Sequence, residues 1–416
     1  MALLFSCSIV FWLTAFSFFL LTVLLRLLFG ELLRLLCLPR FAIWQDYRLV
    51  PEGKRKIGLL LPGGAPAAYD QMKIFIWQYF ELGIASFVVV GVLTPIVRRF
   101  AINKAIYDLP NAEHKSHAHP IPYLGGVAII IGIISVSYFA LFLKEFTKKN
   151  LALETSVLAP ALVLGLVGLW DDFKNLRPGP RLLVQTIAGV FTAIFLIETH
   201  TVGVPTEHVW LDGLITLLWI VGVCNSINFF DNVDGGAAGT VAISSIALAY
   251  LGYKGNQYFI AALATVVVGS MIGFLLWNRS PARIYMGDAG ALFLGVLIAS
   301  LTIRFHPQAD MKWISFSTKI LLLAVPILDT SVAVISRVSR NISPFQGGKD
   351  HLSHRLMRLG LSRPTAVIVL WAMTTFYALC AVMIPFVSKL TEELIVIGAL
   401  AIWLLLFFSF IRTSDA

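Results

Sequence analysis

Four clusters of acidic residues lie between apolar runs, where charge is costly. Asp171 and Asp172 are adjacent in VGLWDDFKNLRPGPR. Adjacent carboxylates repel, which raises one pKa unless a cation is near, and that suits a general base or a divalent-cation neighbourhood. A lone acid pair at a helix end also reads as a solvated terminus. Lys174, Arg177 and Arg181 follow within ten residues and have the reach and charge for phosphate. Pro178-Gly179-Pro180 is expected to make a rigid turn between two helices.

Asn225, Asn228, Asp231 and Asp234 recur every third residue in CNSINFFDNVDGGAAG. On a helix this puts four oxygen-bearing side chains on one face, a donor set for a hard cation such as Mg2+. Gly235, Gly236 and Gly239 then allow close approach of backbone to a ligand. The competing reading is polar contact between helices with small-residue packing. Asp288, in IYMGDAGA, precedes an apolar run and fits either a metal ligand or a helix N-cap. Tyr285 offers a ring for stacking a base or for anchoring at the membrane interface. Asp329 follows Pro326 inside an apolar run, either as a buried paired acid or in a direct role. The stretch 337–363 carries Arg337, Arg340, Lys349, Asp350, His351, His354 and Arg355, a set suited to pyrophosphate or simply to a basic loop. His114, Lys115, His117 and His119 lack an acid or cysteine to complete a zinc set, so anion contact is favoured over metal.

The elements that must position these groups are membrane helices. Of 416 residues 58% are hydrophobic and 13% charged, with mean hydropathy +0.83; soluble domains carry about 25% charged residues. Apolar runs near 76–97, 122–143, 156–170, 182–198, 211–229, 237–252, 257–277, 290–304, 314–336, 364–386 and 392–411 give about eleven spans of roughly the ~20 residues a crossing needs. The chain is therefore expected to be all-α, a polytopic integral membrane domain over 75–412 with an atypical apolar segment at 1–74. Lys and Arg divide about 16 to 6 between alternate loops, and the richer set belongs inside. That threading brings all four acidic clusters out on one face. Residues 1–74 break the pattern, because eight Lys and Arg follow the apolar run 3–25; residues 26–40 read as an interfacial helix and 62–66 as a linker. The net charge of +9 mostly marks inner loops. Cys7, Cys37, Cys224 and Cys380 form no CxxC pair and read as apolar side chains. Nucleic acid is not an expected partner.

These residues suit a site for a hard cation and a phosphorylated substrate, where phosphoryl transfer needs positioning, charge neutralisation and a base. A secondary transporter is the competing class, but its ionisable groups lie near the midplane and often come with internal repeats. Here the acids gather at one face.

Six motifs in order resemble the polyprenyl-phosphate N-acetylhexosamine-1-phosphate transferases over roughly 75–412: DLPNAEHKSHAHPIPYLGG, GLWDDFKNLRPGPRLLVQ, NSINFFDNVDGGAAG, NRSPARIYMGDAGALFLG, PILDT and SPFQGGKDHLSHRL. The resemblance implies transfer of a sugar 1-phosphate from a UDP-N-acetylhexosamine to undecaprenyl phosphate, with release of UMP and a requirement for Mg2+, which Mn2+ can replace. It implies a bacterial inner membrane protein with its active site on the cytoplasmic face, and leaves a homodimer open. Asp288 matches the family's metal ligand, with Asn228 as a second. Asp171 and Asp172 match the pair that engages or deprotonates the lipid phosphate, and Arg181 stands where relatives often carry Lys for phosphate. Asp231, Asn232, Asp234, Gly235 and Tyr285 match the uridine pocket, Asp231 being included among the catalytic set. Lys115 and Asn225 are added as substrate contacts. Asp350, His351, His354 and Arg355 match a loop near sugar and pyrophosphate, with the two histidines catalytic. That loop resembles the UDP-GlcNAc branch, His-x-His-His, with Ser353 in place of one His; Ala291 also stands where relatives often have Ser. The alternative donor is UDP-MurNAc-pentapeptide, whose branch carries three consecutive His.

Overall fold

A computed structural model describes residues 76–108, 120–144, 147–174, 176–309, 311–344 and 348–413. The leader 1–74, Lys115 and its neighbouring histidines lie outside the described residues. Thirteen α-helices run through the rest: α1 Ile76–Asn103, α2 Gly125–Lys144, α3 Lys148–Lys174, α4 Pro178–Glu198, α5 Val209–Phe230, α6 Gly236–Lys254, α7 Tyr258–Asn278, α8 Gly287–Arg304, α9 Lys312–Leu322, α10 Ala324–Ser339, α11 Leu352–Arg358, α12 Arg363–Met383 and α13 Lys389–Arg412. A two-residue strand pair, Tyr107–Asp108 with Ile121–Pro122, is the one sheet among the described residues.

Ten of these helices are long and apolar enough to cross a membrane, and α9 with α10 makes an eleventh if the bent pair is one span. The expected polytopic all-α architecture stands. The run 314–336 differs in detail. It is broken at Leu323 into two helices 77° apart. Pro326 lies in the first turn of α10, where its missing N–H is harmless. Pro178 and Pro180 likewise open α4 rather than forming the turn before it. Cys224 and Cys380 are free thiols.

Helix α8 is buried along nearly its whole length and packs against α2, α3 and α5. Both of its ends meet charge of the favourable sign. Asp172 faces its N-terminus. Buried Lys319 donates to Ile303 O (2.9 Å) near its C-terminus, and buried Arg304 donates to Ser300 O and to Ser156 Oγ. An anion at the start and cations at the end complement the helix dipole. These contacts fix the height of α8, and with it Asp288.

Candidate active site

Gly287 opens α8 with φ +70°, and a Cβ there would sit 2.7 Å from Asp172 Oδ2. Glycine therefore serves both the left-handed backbone and the close carboxylate. Asp172 accepts the backbone N–H of Asp288 (2.8 Å) and of Ala289 (3.1 Å). Gly168, one turn earlier on α3, lets that helix approach: its Cβ would lie 2.3 Å from Asp288 O. Tyr123 donates to the Asp172 carbonyl at 2.7 Å and steadies the end of α3. Tyr285 and Met286 carbonyls accept from Gly125 and Gly126 at the start of α2, which fixes the loop leading into α8.

The side chain of Asp288 is not used as a cap. Its Oδ1 accepts from Asn228 Nδ2 at 2.8 Å and its Oδ2 faces Arg181 Nη1 at 2.9 Å. The same Arg181 nitrogen is 2.6 Å from Asp171 Oδ2, and Asp171 Oδ1 accepts from Leu176 N at 2.5 Å. Asp171 is buried, and Arg181 reaches it from the first turn of α4.

The three-residue stripe does not continue as one helical face. Helix α5 ends at Phe230 and Asp231 is its C-cap residue, so Asn225 and Asn228 are helical while Asp231 and Asp234 are not. Among the described residues no hydrogen-bond donor reaches the Asp231 carboxylate. Burial, then the charges of Asp288 and Asp234, push its pKa up to about 7. Asp234 is buried and accepts from Ala282 N (3.2 Å) and Tyr285 OH (3.4 Å), with Arg363 at 3.5 Å. Gly235 has φ +74° and donates to Asn278 Oδ1. Asn232 donates to Phe229 O and accepts from Ser353 Oγ at 2.5 Å.

The last cluster is held from α10. Asp329 is fully buried and accepts from Leu352 N at 2.6 Å. His351 Nδ1 lies 2.7 Å from Asp329 Oδ2, and His351 Nε2 lies 3.2 Å from Arg337 Nη2. A guanidinium only donates, so Nε2 is the acceptor and Nδ1–H donates to Asp329. Arg337 also donates to Asp350 and to Pro344 O, and Arg340 pairs with Asp350 at 2.7 Å. Those two arginines hold the Asp350 carboxyl below its usual range, against the effect of burial. His354 is buried, and desolvation, then the proximity of His351, lowers its pKa to about 4. It is a neutral imidazole at pH 7.

The four clusters therefore meet at one end of the bundle, joined by Arg181 between Asp171 and Asp288, by Asn228 with Asp288, and by Asn232 with Ser353. Four of the expected site residues have protein partners in this structure. Asp172, expected to engage or deprotonate the lipid phosphate, has its carboxylate on the backbone N–H groups that open α8. His351 is expected to be catalytic, and both its ring nitrogens contact protein groups, Asp329 and Arg337. Arg355 is expected at the substrate, yet it is buried and donates to Asp350 O, Phe410 O, Thr413 O and Ser336 Oγ, tying α11 to the end of α13. Asn225 is expected at the substrate, yet its amide donates to Gln185 Oε1 (2.7 Å) and to Val221 O. Gln185 is a partner that the sequence pattern did not single out; a glutamine in LLVQ, inside an apolar run, was the available signal.

Among the described residues no three His, Cys, Asp or Glu side chains form a ready metal cage. Asp288, Asn228 and Asp231 nevertheless offer only oxygen donors near buried negative charge. That suits a hard cation which retains waters and takes its remaining ligands from phosphate.

Residues 154–306 match the profile of Glycosyl transferase family 4. The chain is 32% identical over 339 residues, 79% of its length and 87% of the relative's, to a probable undecaprenyl-phosphate N-acetylglucosaminyl 1-phosphate transferase of Bacillus subtilis. It is 28% identical over 323 residues, 70% of its length and 80% of the relative's, to a decaprenyl-phosphate N-acetylglucosaminephosphotransferase of Mycobacterium leprae. It is 27% identical over 252 residues, 56% of its length and 75% of the relative's, to a phospho-N-acetylmuramoyl-pentapeptide-transferase of Streptococcus agalactiae. With 32% identity across 79% of its length, the chain belongs to glycosyl transferase family 4.

Proposed function

We propose that this protein transfers N-acetylglucosamine 1-phosphate from UDP-GlcNAc to undecaprenyl phosphate, releasing UMP and starting a lipid-linked envelope glycopolymer. The observation that carries the reading is the convergence of Arg181, Asn228 and the Asp172-capped α8 on Asp288. An oxygen of the lipid phosphate forms a bond to the sugar-bearing phosphorus, and the bond from that phosphorus to the bridging oxygen breaks, so UMP leaves with the bridging oxygen. Little covalent chemistry falls to the protein; positioning and charge do most of the work. Arg181, shared between Asp171 and Asp288, meets phosphate charge. Asp231 sits where its ionisation responds to any cation at Asp288. The Asp234–Tyr285 contact shapes a pocket for the uracil, with the Tyr285 ring as a stacking face. His354, neutral and buried on α11, borders the sugar side. Asp288 and Asn228, with Asp231, would hold Mg2+, which when bound supplies charge neutralisation for the pyrophosphate.

The relatives named for N-acetylglucosamine cover more of this chain than the relative named for the muramoyl-pentapeptide, which supports the donor assignment. The Lys and Arg asymmetry supports a bacterial plasma membrane protein with this end of the bundle in the cytoplasm. The test supplies purified protein with undecaprenyl phosphate and, separately, UDP-GlcNAc, UDP-GalNAc or UDP-MurNAc-pentapeptide, with and without Mg2+. Mg2+-dependent UMP release and lipid product from UDP-GlcNAc are expected. Product from UDP-MurNAc-pentapeptide alone rejects the donor, and no product from any of the three rejects the reaction.

A further inference from the structure

At the other end of the bundle a cavity of about 350 Å3 opens between α1, α2, α3 and α7. That volume lies within the ~300–1,000 Å3 of ligand pockets. Glu154 on its wall shares α3 with Asp171, and at 1.5 Å per residue the two are about 25 Å apart along the helix. The cavity is thus separate from the site described above. Its wall is mainly apolar, with Leu82, Val136, Phe259 and Val266.

Two acids interrupt that wall. Glu81 is exposed near the start of α1, and Glu154 is only 8% exposed. Ser137, 5% exposed, lies beside Glu154 and offers it a hydroxyl but no charge. No cation among the described residues pairs with Glu154. Three other buried acids do have such partners: Asp171 has Arg181, Asp350 has Arg337 and Arg340, and Asp329 has His351. A carboxyl in an apolar wall without such a partner is costly, and a cation brought by a ligand relieves that cost.

The occupant is constrained by three features. The wall needs an apolar chain. The two acids repel an anionic headgroup and attract a cation. Glu81 and Glu154 lie within the first two turns of α1 and α3, close to headgroup depth. We propose that this cavity binds one membrane phospholipid with a primary-ammonium headgroup, its ammonium paired with Glu154 and one acyl chain along Val136, Phe259 and Val266.

The experiment uses the full chain, reconstituted with phosphatidylethanolamine or with phosphatidylglycerol of the same acyl chains, and counts retained lipid by native mass spectrometry. One phosphatidylethanolamine per chain is expected, retained about tenfold more tightly than phosphatidylglycerol. Glu154→Gln keeps shape and hydrogen bonding but cannot carry charge, and should reduce that preference to about unity. Ala262→Phe fills the cavity and should abolish retention of either lipid, so the proposal remains testable if Glu154→Gln fails to fold. Equal retention of the two lipids by the unaltered protein, or an undiminished preference in either variant, overturns the site. A dimer without retained lipid that Ala262→Phe dissociates also overturns it, and assigns the face to a second copy. UMP release in detergent should be unchanged in both variants, which separates this outcome from that of the reaction.

Discussion

The Asp172 carboxylate accepts the backbone N–H of Asp288 at 2.8 Å, across 116 residues of sequence. The acid next to it, Asp171, instead pairs with Arg181. Two adjacent carboxylates thus do different work. One orients the start of α8, and the other sets the charge around the side chain of Asp288. Because Asp172 does the capping, the Asp288 carboxylate is left facing Arg181 and Asn228.

Asp172→Ala leaves two backbone N–H groups at the start of α8 without their acceptor. Loss of a cap costs about 1 kcal/mol, up to about 2. Turnover should fall further than stability, and the apparent affinity for Mg2+ and UDP-sugar should fall with it, because Asp288 loses its anchor. Asp172→Asn retains one acceptor oxygen and should be milder in both respects. Unfolding midpoints measured beside Mg2+ titrations check this. A large turnover loss with unchanged Mg2+ and UDP-sugar affinity would return Asp172 to the role of base.

Asp288→Ala removes no cap, so the folded state should persist with a midpoint close to that of the unaltered protein. Turnover should fall by at least ~100-fold, the scale for losing one electrostatic group at a transition state. Retained Mg2+-dependent UMP release in a folded variant removes Asp288 from the metal site.

The spans were legible in sequence because a bilayer demands long apolar runs, and each run that hydropathy marks overlaps a described helix. The break at Leu323 was not, because 314–336 reads as one mostly apolar run, with Lys319 and Asp329 inside it, and only Pro326 hints at a restart. Local rules also assign the N-cap of α8 to Asp288, its nearest acid. The actual cap comes from α3, and only the close packing at Gly168 makes that contact available. The contacts of Arg355 are hidden for a related reason: a basic residue in a His-containing loop looks like an anion ligand, and its carbonyl partners Phe410 and Thr413 are more than fifty residues downstream.

Arg355→Lys separates scaffold from ligand contact. Lysine has one point charge and cannot match the Asp350, Phe410, Thr413 and Ser336 acceptors together. Hydrogen bonds to a charged group contribute about 1.5–3 kcal/mol each. The unfolding midpoint should drop clearly, while KM for UDP-sugar in the remaining folded protein changes less than about threefold. A large KM change without loss of stability would place Arg355 at the substrate after all.

His354 supplies a pH dependence. Its folded pKa is lowered to about 4 by burial and by His351, below an unfolded value near 6.5. Above pH 6.5 the imidazole is neutral in both states. As pH falls from about 6.5 towards 4, the unfolded chain takes up the proton first, so the folded state loses stability across that window. His354→Gln should flatten the slope of unfolding midpoint against pH there. The lowered Asp350 carboxyl adds a loss further into acid, as pH falls through its depressed folded pKa, and that part should survive the substitution. An identical slope in His354→Gln from 6.5 to 4 refutes the assignment.

Ser353 Oγ donates to Asn232 Oδ1 at 2.5 Å and is the direct tie between α11 and the loop after α5. Asn232 also donates to Phe229 O, and Phe229 lies edge-on to the His351 ring with centroids 6.1 Å apart. The serine therefore registers the histidine-bearing helix against the loop that carries Asp231 and Asp234. Ser353→Ala removes the donor and leaves the Asn232 oxygen without it, at a cost of about 1 kcal/mol. The effect should appear as a rise of about fivefold to tenfold in KM for UDP-sugar with a smaller change in kcat, because the tie acts on the placement of two walls and no reacting atom touches it. Ser353→Thr keeps the hydroxyl and should recover most of the loss. Equal KM in Ser353→Ala and the unaltered protein, measured with saturating lipid phosphate, removes the tie from the donor site.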